Sequence, residues 1–383
     1  MNFLGAAIAM SIFAILTPSF AGTQTVLPSD VEIRKIMAEC LGKNEKAVGI
    51  VVRVIDPQGR RIISYGHRNG GDARPLDGDT VFEIASVTKV FTALLLADMV
   101  EKNEVALSDP ASKYLPAAAI KLPERNGHLI TLLDLATHTS GLPFMPANTP
   151  PFNDPTAAKY SIGDPKYYLA GYQLTRDIGT EWDYSNLGYW ALSEALAART
   201  GKEIENLIRT RVLAPLKMAD TDFELSAKMK SNLAPGDDSA LQPAPAASTI
   251  PIYSIMPAGG GLYSTANDLL TFLSQCMGYE PSPLAPAMNV ALSNRRPVQP
   301  GNEQALGWNV YGKGEDFLTI ESPADWGLPK LRIRPESQRD FFATELPLRV
   351  TFQTGPDGKV RSLTIYPPRG QKGVPANKLA GEK

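Results

Sequence analysis

The sequence predicts an α+β fold, in which an antiparallel β-sheet is flanked by helices and carries a mainly helical lobe. Two observations indicate this: strand patterns lie toward both ends of the chain, and helical patterns and loops lie between them. With 383 residues, of which 43% are hydrophobic, the chain can bury a sizeable core. The net charge of −2, from 38 basic and 40 acidic residues, argues against nucleic acid or an anionic membrane surface as a partner.

The first 21 residues contain no charged side chain and are typical of a cleaved secretory signal. Small residues, Ser19 and Ala21, stand at the positions that a cut after Ala21 requires. The segment lacks the usual Lys or Arg, and an uncleaved membrane anchor is the alternative. No later stretch is apolar enough to span a bilayer, so we expect an exported protein, periplasmic or secreted, without a stable membrane span.

The first regular elements form a predicted hairpin, with strands at 49–55 and 60–65 joined by a turn at 56–59. Helices are predicted from apolar spacing and from two capping pairs, Thr131 with Asp134 and Thr265 with Asp268. The further predicted helices are 187–200, closed by Gly201, then 203–212 and 265–277.

Two long segments, 141–165 and 234–251, are rich in turn-forming residues and are predicted to be loops. Near the end of the chain, 349–353 and 360–366 form a second predicted hairpin. The last fifteen residues are rich in Pro, Gly and Lys, and we expect them to be disordered.

The most informative motif is Ser86-Val87-Thr88-Lys89, which lies at the start of an apolar helical run. Residues 90–99 are apolar at helical spacing, so Ser86 should lie at a helix N-terminus with Lys89 on the same face. The free N–H groups there favour negative charge developing beside Ser86 during acyl transfer. A serine hydroxyl needs a neighbouring base, and a lysine can be that base if burial keeps it partly neutral. Taken alone, the motif is more typical of a capping serine followed by a surface lysine, because serine is a preferred helix cap.

A second motif, Tyr184-Ser185-Asn186, precedes the helix at 187–200. Side chains two positions apart on such a loop can face one cleft. A phenol near a cationic lysine loses its proton more easily, and the phenolate can then accept the Ser86 proton and pass it to a leaving group. Asn186 can bind a substrate amide or hold Lys89. The alternative is a core tyrosine followed by an asparagine helix cap.

The chain has two cysteines, Cys40 and Cys276, and the sequence does not decide whether they pair. Cys276 lies in an apolar helical pattern and is interpreted as a small core residue. No cysteine–histidine cluster resembles a metal site, so no metal is predicted.

Taken together, these segments resemble the superfamily of serine β-lactamases and penicillin-binding proteins, in its class C β-lactamase and D,D-peptidase-related branch. The resemblance runs from about residue 30 to 312, with segments in the family's order. The similar segments are 82–116, ITLLDLATHTSGLP at 130–143, EWDYSNLGYWALSEALAARTG at 181–201, 215–223, GGGLYSTANDLLTFL at 259–273 and ALGWNVY at 305–311.

The resemblance implies a role for each matching residue. Ser86 is the acylated nucleophile, Lys89 its partner and base, and Tyr184 the proton shuttle, while Asn186 contacts the substrate amide and Lys89. The implied substrates are β-lactams or D-alanyl-D-alanine peptides, and no metal or organic cofactor is implied. His138, in the matching segment 130–143, is expected to be structural. The resemblance does not indicate an oligomeric state.

The chain departs from the family after 305–311, where a Lys-Thr-Gly or His-x-Gly strand is expected. Lys313-Gly314-Glu315 matches that motif poorly, and we expect the C-terminal sheet strands and the closing helix to be missing. The predicted organisation is a signal peptide (1–21), an incomplete β-lactamase-like domain (22–317), and a small C-terminal β extension with a disordered tail (318–383).

The leading hypothesis is an exported serine β-lactamase that opens its substrate through a Ser86 acyl-enzyme. The alternatives are a penicillin-binding D,D-carboxypeptidase, an esterase on the same scaffold, or a catalytically impaired relative that binds penicillin or peptidoglycan. An α/β-hydrolase is unsupported because the chain contains no Gly-x-Ser-x-Gly motif. The three histidines are scattered and give little support to a protease triad.

Overall fold

The fold is described from a computed structural model of the chain. The chain divides into two compact units, Met1–Asn294 and Arg295–Lys383. The described residues are 28–43, 48–56, 59–69, 72–116, 118–149, 163–236, 256–299 and 301–311, with separate strands between 318 and 377. The predicted signal segment 1–21 lies outside them. Within these ranges no helix is both long and apolar enough to cross a membrane, and no acidic, histidine or cysteine cluster could hold a metal ion.

The N-terminal unit begins with helix α1 (Asp30–Lys43) and the antiparallel sheet β1-β2-β3. Its strands are β1 (Gly49–Asp56), β2 (Gly59–Asn69) and β3 (Asp72–Pro75). The first predicted hairpin is therefore confirmed, with β1 and β2 in continuous register. Helix α1 was not predicted. It is bound to β2 by an ion pair between Asp30 and Arg61 at 2.6 Å.

The core of this unit is built around helix α2 (Thr88–Glu101), which is apolar on nearly all sides and is buried accordingly. Phe91, Leu95 and Met99 have no exposed surface, and the Phe91 ring lies 5.0 Å from the Phe272 ring. A short strand, β4 (Val81–Glu83), leads into α2 and pairs antiparallel with β7 (Tyr263–Thr265).

Two of the remaining helices carry the predicted capping pairs. Thr131 and Asp134 form a complete capping box on α3 (Leu132–Ala136). The Thr265 side chain accepts the Asp268 N–H at 3.1 Å at the start of α9 (Ala266–Cys276). Both predictions are confirmed. They could be made from sequence because each capping pair consists of residues only three positions apart.

Helix α5 (Asn186–Thr200) also matches its prediction, with Gly201 as the left-handed C-terminal residue at φ 68°. The predicted helix at 203–212 was wrong in part. Its first half is α6 (Ile204–Ile208), whereas Arg209–Leu213 forms a π-helical turn. Within this turn Arg209 and Arg211 each form an ion pair with a carboxylate, and the apolar side chains of Val212 and Leu213 are buried.

The other elements of the N-terminal unit are short. They are the strands β5 (Glu124–Arg125) and β6 (His128–Leu129), and the helices α4 (Gly163–Gly171), α7 (Ala227–Asn232), α8 (Pro257–Gly260) and α10 (Ala285–Ser293). Of the two predicted loops, residues 150–162 and 237–251 lie outside the described residues. The first loop was predicted to run to residue 165, whereas α4 already begins at Gly163.

The two cysteines are unpaired. Cys40 is exposed on α1, whereas Cys276 is half-buried at the end of α9, and this burial raises the pKa of its thiol to about 12.

The described part of the C-terminal unit consists of two antiparallel sheets. The first contains β8 (Arg295–Gln299), β9 (Asn302–Ala305) and β10 (Trp308–Tyr311) in the order β10-β9-β8. The second is a six-stranded meander of β11 (Leu318–Ile320), β12 (Leu331–Pro335), β13 (Asp340–Ala343), β14 (Arg349–Thr354), β15 (Val360–Tyr366) and β16 (Val374–Asn377).

The predicted C-terminal hairpin is confirmed as β14 and β15, which pair antiparallel. Strand β16 lies within the segment for which composition predicts disorder. It pairs along the outer edge of β15, which would otherwise leave its N–H and C=O groups without strand partners. Lys313-Gly314-Glu315 lies outside the described residues.

Candidate active site

Ser86 is exposed and lies in a 3-10 turn, Ala85–Val87, which joins strand β4 to the start of α2. The Ile84 N–H donates to the Leu262 carbonyl oxygen at 3.0 Å, which fixes the path of the chain into the helix. Ala85 then adopts a left-handed conformation at φ 43°. For a residue other than glycine this costs about 1–3 kcal/mol, and the surrounding structure maintains the strain. No side chain caps this turn or α2, so Ser86 is not the capping residue of the alternative interpretation.

Lys89 lies one helical turn after Ser86 and is almost fully buried, with 3% of its surface exposed. Its Nζ donates to Ser86 Oγ at 3.2 Å, to Asn186 Oδ1 at 2.8 Å and to the Gly259 carbonyl oxygen at 2.5 Å. These acceptors match the three N–H donors of a protonated lysine. The predicted proximity of Ser86 and Lys89 on one helix face is therefore present in the structure.

Burial lowers the pKa of Lys89 from 10.5 to about 7, because the charged form loses its hydration. Near neutral pH, a substantial fraction of the molecules then carries an uncharged amine with a lone pair. The oxygens of Gly259 and Asn186 can only accept, so they retain the two remaining N–H donors. The lone pair consequently faces Ser86 Oγ, which can donate. Deprotonation reverses this hydrogen bond and makes Lys89 a base directed at Ser86.

Tyr184 also contacts the serine and is half-buried. Its hydroxyl donates to Ser86 Oγ at 2.7 Å, and Lys89 Nζ lies 5.0 Å from its ring centroid. The ring packs against the His138 imidazole at 4.4 Å and lies 6.1 Å from the Phe144 ring. Ser86 Oγ is thus within hydrogen-bond distance of two groups that can exchange protons.

Asn186 reaches the site because it is the first residue of α5. The Ser185 hydroxyl caps this helix by accepting the Gly188 N–H at 2.8 Å. The Asn186 N–H donates to the Phe144 carbonyl oxygen at 3.0 Å, which fixes the backbone at the point where the amide side chain meets Lys89.

The Gly259 carbonyl is placed by bonds between α8 and the start of α2. The Thr92 hydroxyl donates to the Ala258 carbonyl oxygen at 2.7 Å, and the Leu262 N–H donates to the Thr88 hydroxyl at 3.1 Å. The segment 256–262 is consequently held against the helix that carries the nucleophile candidate.

The structure brings together the predicted site residues Ser86, Lys89, Tyr184 and Asn186. The sequence did not predict that the Gly259 carbonyl oxygen would contact Lys89. Every residue carries a backbone carbonyl, so the residue type gives no sign of such a contact. The available signal was the glycine run 259–261, which permits close approach of the backbone. Sequence reasoning also missed the contact of His138 with Tyr184, since that histidine was interpreted as structural only.

Comparison with known proteins gives a consistent result. The family model "Beta-lactamase" matches residues 33–344. The chain is 33% identical to the D-alanyl-D-alanine-carboxypeptidase/endopeptidase AmpH of Escherichia coli (strain K12) over 277 residues, covering 70% of this chain and 67% of that protein. It is 28% identical to a β-lactamase of Pseudomonas fluorescens, covering 73% and 75%, and 28% identical to the esterase EstB of Burkholderia gladioli, covering 74% and 78%.

Among solved structures, the chain resembles a β-lactamase/D-alanine carboxypeptidase from Yersinia pestis complexed with citrate. The TM-score is 0.58 at 24% identity, with 86% of this chain and 90% of that chain covered. This likeness concerns the fold, and it confirms the predicted α+β class. Since the family model also spans most of the sequence, including the helix of Ser86 and the segment of Tyr184, the chain belongs to the Beta-lactamase family of hydrolases.

Proposed function

We propose that this protein is a serine hydrolase that opens β-lactam rings through a covalent acyl-enzyme on Ser86. The observation that carries the proposal is the position of Ser86 Oγ, 3.2 Å from Lys89 Nζ and 2.7 Å from the Tyr184 hydroxyl. One neighbour can take the serine proton, and the other can supply a proton to the leaving group.

In the acylation step, neutral Lys89 takes the proton of Ser86, and Oγ attacks the carbonyl carbon of the lactam. The helix N-terminus favours the negative charge that develops on the carbonyl oxygen. The carbon–nitrogen bond then breaks, and the leaving nitrogen takes the Tyr184 proton. The nearby Lys89 ammonium stabilises the resulting phenolate.

In the hydrolysis step, water gives a proton to the Tyr184 phenolate and attacks the ester carbonyl. The ester bond breaks, and Ser86 Oγ recovers a proton from the Lys89 ammonium. All three side chains return to their starting forms, and the reaction consumes one water. These steps require no metal or organic cofactor.

A D,D-carboxypeptidase is the second candidate, because the relative at 33% identity is named as a D-alanyl-D-alanine carboxypeptidase/endopeptidase. An esterase is the third, through the relative EstB. A relative that is acylated but does not turn over remains the alternative implied by the poor match to the family's third motif. Losing one oxyanion donor costs about 2.7–4 kcal/mol of transition-state stabilisation.

We also propose export, on the basis of the apolar, uncharged segment 1–21.

One experiment separates these candidates. The protein is incubated with a chromogenic cephalosporin, a fluorescent penicillin, a peptide ending in D-alanyl-D-alanine and a p-nitrophenyl ester, each with the Ser86→Ala variant as control. Serine-dependent cephalosporin turnover supports the β-lactamase, and preferential release of D-alanine supports the carboxypeptidase. Stable labelling without turnover supports an impaired relative. No labelling and no turnover would contradict the proposal.

The rate of acylation should rise with pH up to about 7 and then level off, because burial lowers the pKa of Lys89 to about 7 and the neutral amine is the reactive form. Below that pH the rate is expected to fall about tenfold per unit. The measurement is stopped-flow labelling by fluorescent penicillin between pH 5 and 9. A rate independent of pH, or one rising only near the ordinary lysine pKa, would refute Lys89 as the base.

Replacing Tyr184 by phenylalanine should slow opening of a lactam by about 10²–10⁴-fold, because the leaving nitrogen loses its proton donor. Acylation by a p-nitrophenyl ester should slow much less, since nitrophenolate leaves without a proton. The matched control is Tyr167→Phe, on a residue that is 82% exposed. Equal losses with the two substrates would contradict a role for Tyr184 in leaving-group protonation.

A further inference from the structure

His138 occupies an unusual place in the fold. It follows α3 and adopts a left-handed backbone conformation at φ 59°, although it is not a glycine. The residue is 4% exposed, so its imidazole lies inside the protein. A buried polar side chain on a strained backbone needs specific partners to compensate both costs.

The hydrogen bonds of His138 bracket Tyr184. Its carbonyl oxygen accepts the Asp183 N–H at 2.8 Å, and its Nδ1 accepts the Ser185 N–H at 3.1 Å. One residue therefore binds the backbone on both sides of Tyr184. In this left-handed conformation, both the carbonyl group and the imidazole of His138 contact the segment 183–185.

The imidazole also contacts the tyrosine ring. The ring centroids of His138 and Tyr184 are 4.4 Å apart with a 31° tilt. Tyr189 supports the imidazole at 5.0 Å and Trp182 at 6.1 Å, the latter edge-on. The Tyr184 side chain is thus packed against a histidine that is itself held by two further aromatic rings.

His138 must be uncharged to make these contacts. Burial, with the charge of Lys89 as a smaller cause, lowers the pKa of His138 from 6.5 to about 3. Because Nδ1 accepts a hydrogen bond, the ring proton lies on Nε2. An imidazolium would lose the Ser185 acceptor, since both of its nitrogens carry protons.

We propose that His138 is a positioning residue for acyl transfer, which holds the Tyr184 hydroxyl at hydrogen-bond distance from Ser86 Oγ. The inference rests on the proposed function, because it assigns His138 an effect through Tyr184. It differs from a purely structural role, in which loss of His138 would lower stability without a specific effect on proton transfer. A displacement of about 1 Å at a reacting group can slow a reaction about 10²-fold.

The test is a double-mutant cycle on the rate of labelling by fluorescent penicillin. His138→Phe keeps an aromatic ring but loses the acceptor for Ser185. His138→Asn keeps an amide acceptor and suits a positive φ, but it loses the ring. Both substitutions are made in the unaltered protein and in the Tyr184→Phe variant. The matched control is His128→Asn, on an exposed histidine. All labelling rates are corrected for the fraction of folded protein.

We expect His138→Phe to slow labelling by about 10–100-fold in the unaltered protein and by less than about threefold in the Tyr184→Phe background. His138→Asn should recover part of the loss, and His128→Asn should have no effect. Equal losses in both backgrounds, or unchanged rates, would overturn the inference while the proposed function stands. Failure of the unaltered protein both to be labelled and to turn over any of the substrates would overturn both.

A second measurement does not depend on the folding of the variants. The ¹⁵N spectrum of the unaltered protein at neutral pH should place the His138 ring proton on Nε2. The assignment requires only that His67 and His128 be distinguished from it. A proton on Nδ1, or an imidazolium, would overturn the inference, because the bond from Ser185 would then be absent.

Discussion

Replacing Ser86 by alanine is expected to abolish covalent labelling and to lower turnover by at least about 10⁴-fold, since losses of this size accompany removal of a nucleophile that acts with a base as a unit. The side chain is exposed and no capping bond depends on it, so the fold should be unchanged. The measurements are mass spectrometry of the penicillin-treated protein and steady-state turnover of the preferred substrate.

The matched control is Ser231→Ala. This serine is also exposed, and its hydroxyl donates only to a local carbonyl, that of Lys228, at 2.7 Å. Labelling should continue at the unaltered rate in this variant. A covalent adduct in Ser86→Ala, or residual turnover near that of the unaltered protein, would show that another residue is the nucleophile.

Replacing Lys89 by methionine is expected to slow acylation by about 10²–10⁴-fold, the range typical of a lost general base. Methionine has a similar length and fills the buried space, so the effect should come from chemistry and not from a cavity. The pH dependence of acylation near pH 7 should disappear with it. The control is Lys102→Met, because Lys102 is an exposed lysine at the end of the same helix.

The same substitution should preserve stability or raise it by about 1 kcal/mol at pH 7. The unfolded chain binds a proton at Lys89 up to its ordinary pKa of 10.5, whereas the folded protein releases it near 7. The free energy of unfolding of the unaltered protein should therefore rise between about pH 7 and 10.5 on account of this group, and Lys89→Met should remove that contribution. Urea titrations at several pH values measure both effects. Strong destabilisation by Lys89→Met would mean that the lysine is structural.

The elements that could be predicted from sequence are those decided by near neighbours. Capping of α3 by Thr131 and of α9 by Thr265 depends on a partner three positions away. The β1–β2 hairpin depends on a short turn between alternating strands. The contact of Ser86 with Lys89 is of the same kind, because one helical turn separates them.

The parts that could not be predicted depend on pairing between distant segments. The Gly259 carbonyl reaches Lys89 only because β4 pairs with β7 and α8 lies against α2. The π-helical turn at Arg209–Leu213 carries an arginine that pairs with Asp98, more than a hundred positions away in sequence. Neither the Gly259 contact nor the π-helical turn is associated with a recognisable pattern in the nearby sequence, so neither could be predicted from residue types and spacing.

Because Lys89 is buried only in the folded protein, we expect Ser86 to be activated only in the native state. In an incomplete or newly synthesised chain this lysine is hydrated, carries its proton and cannot activate Ser86. Its environment forms only when Asn186 and Gly259, 97 and 170 positions further along the chain, have been made and have docked. Under the proposed mechanism the protein therefore becomes reactive only when its fold is complete, and we expect penicillin labelling to report the native fraction during refolding.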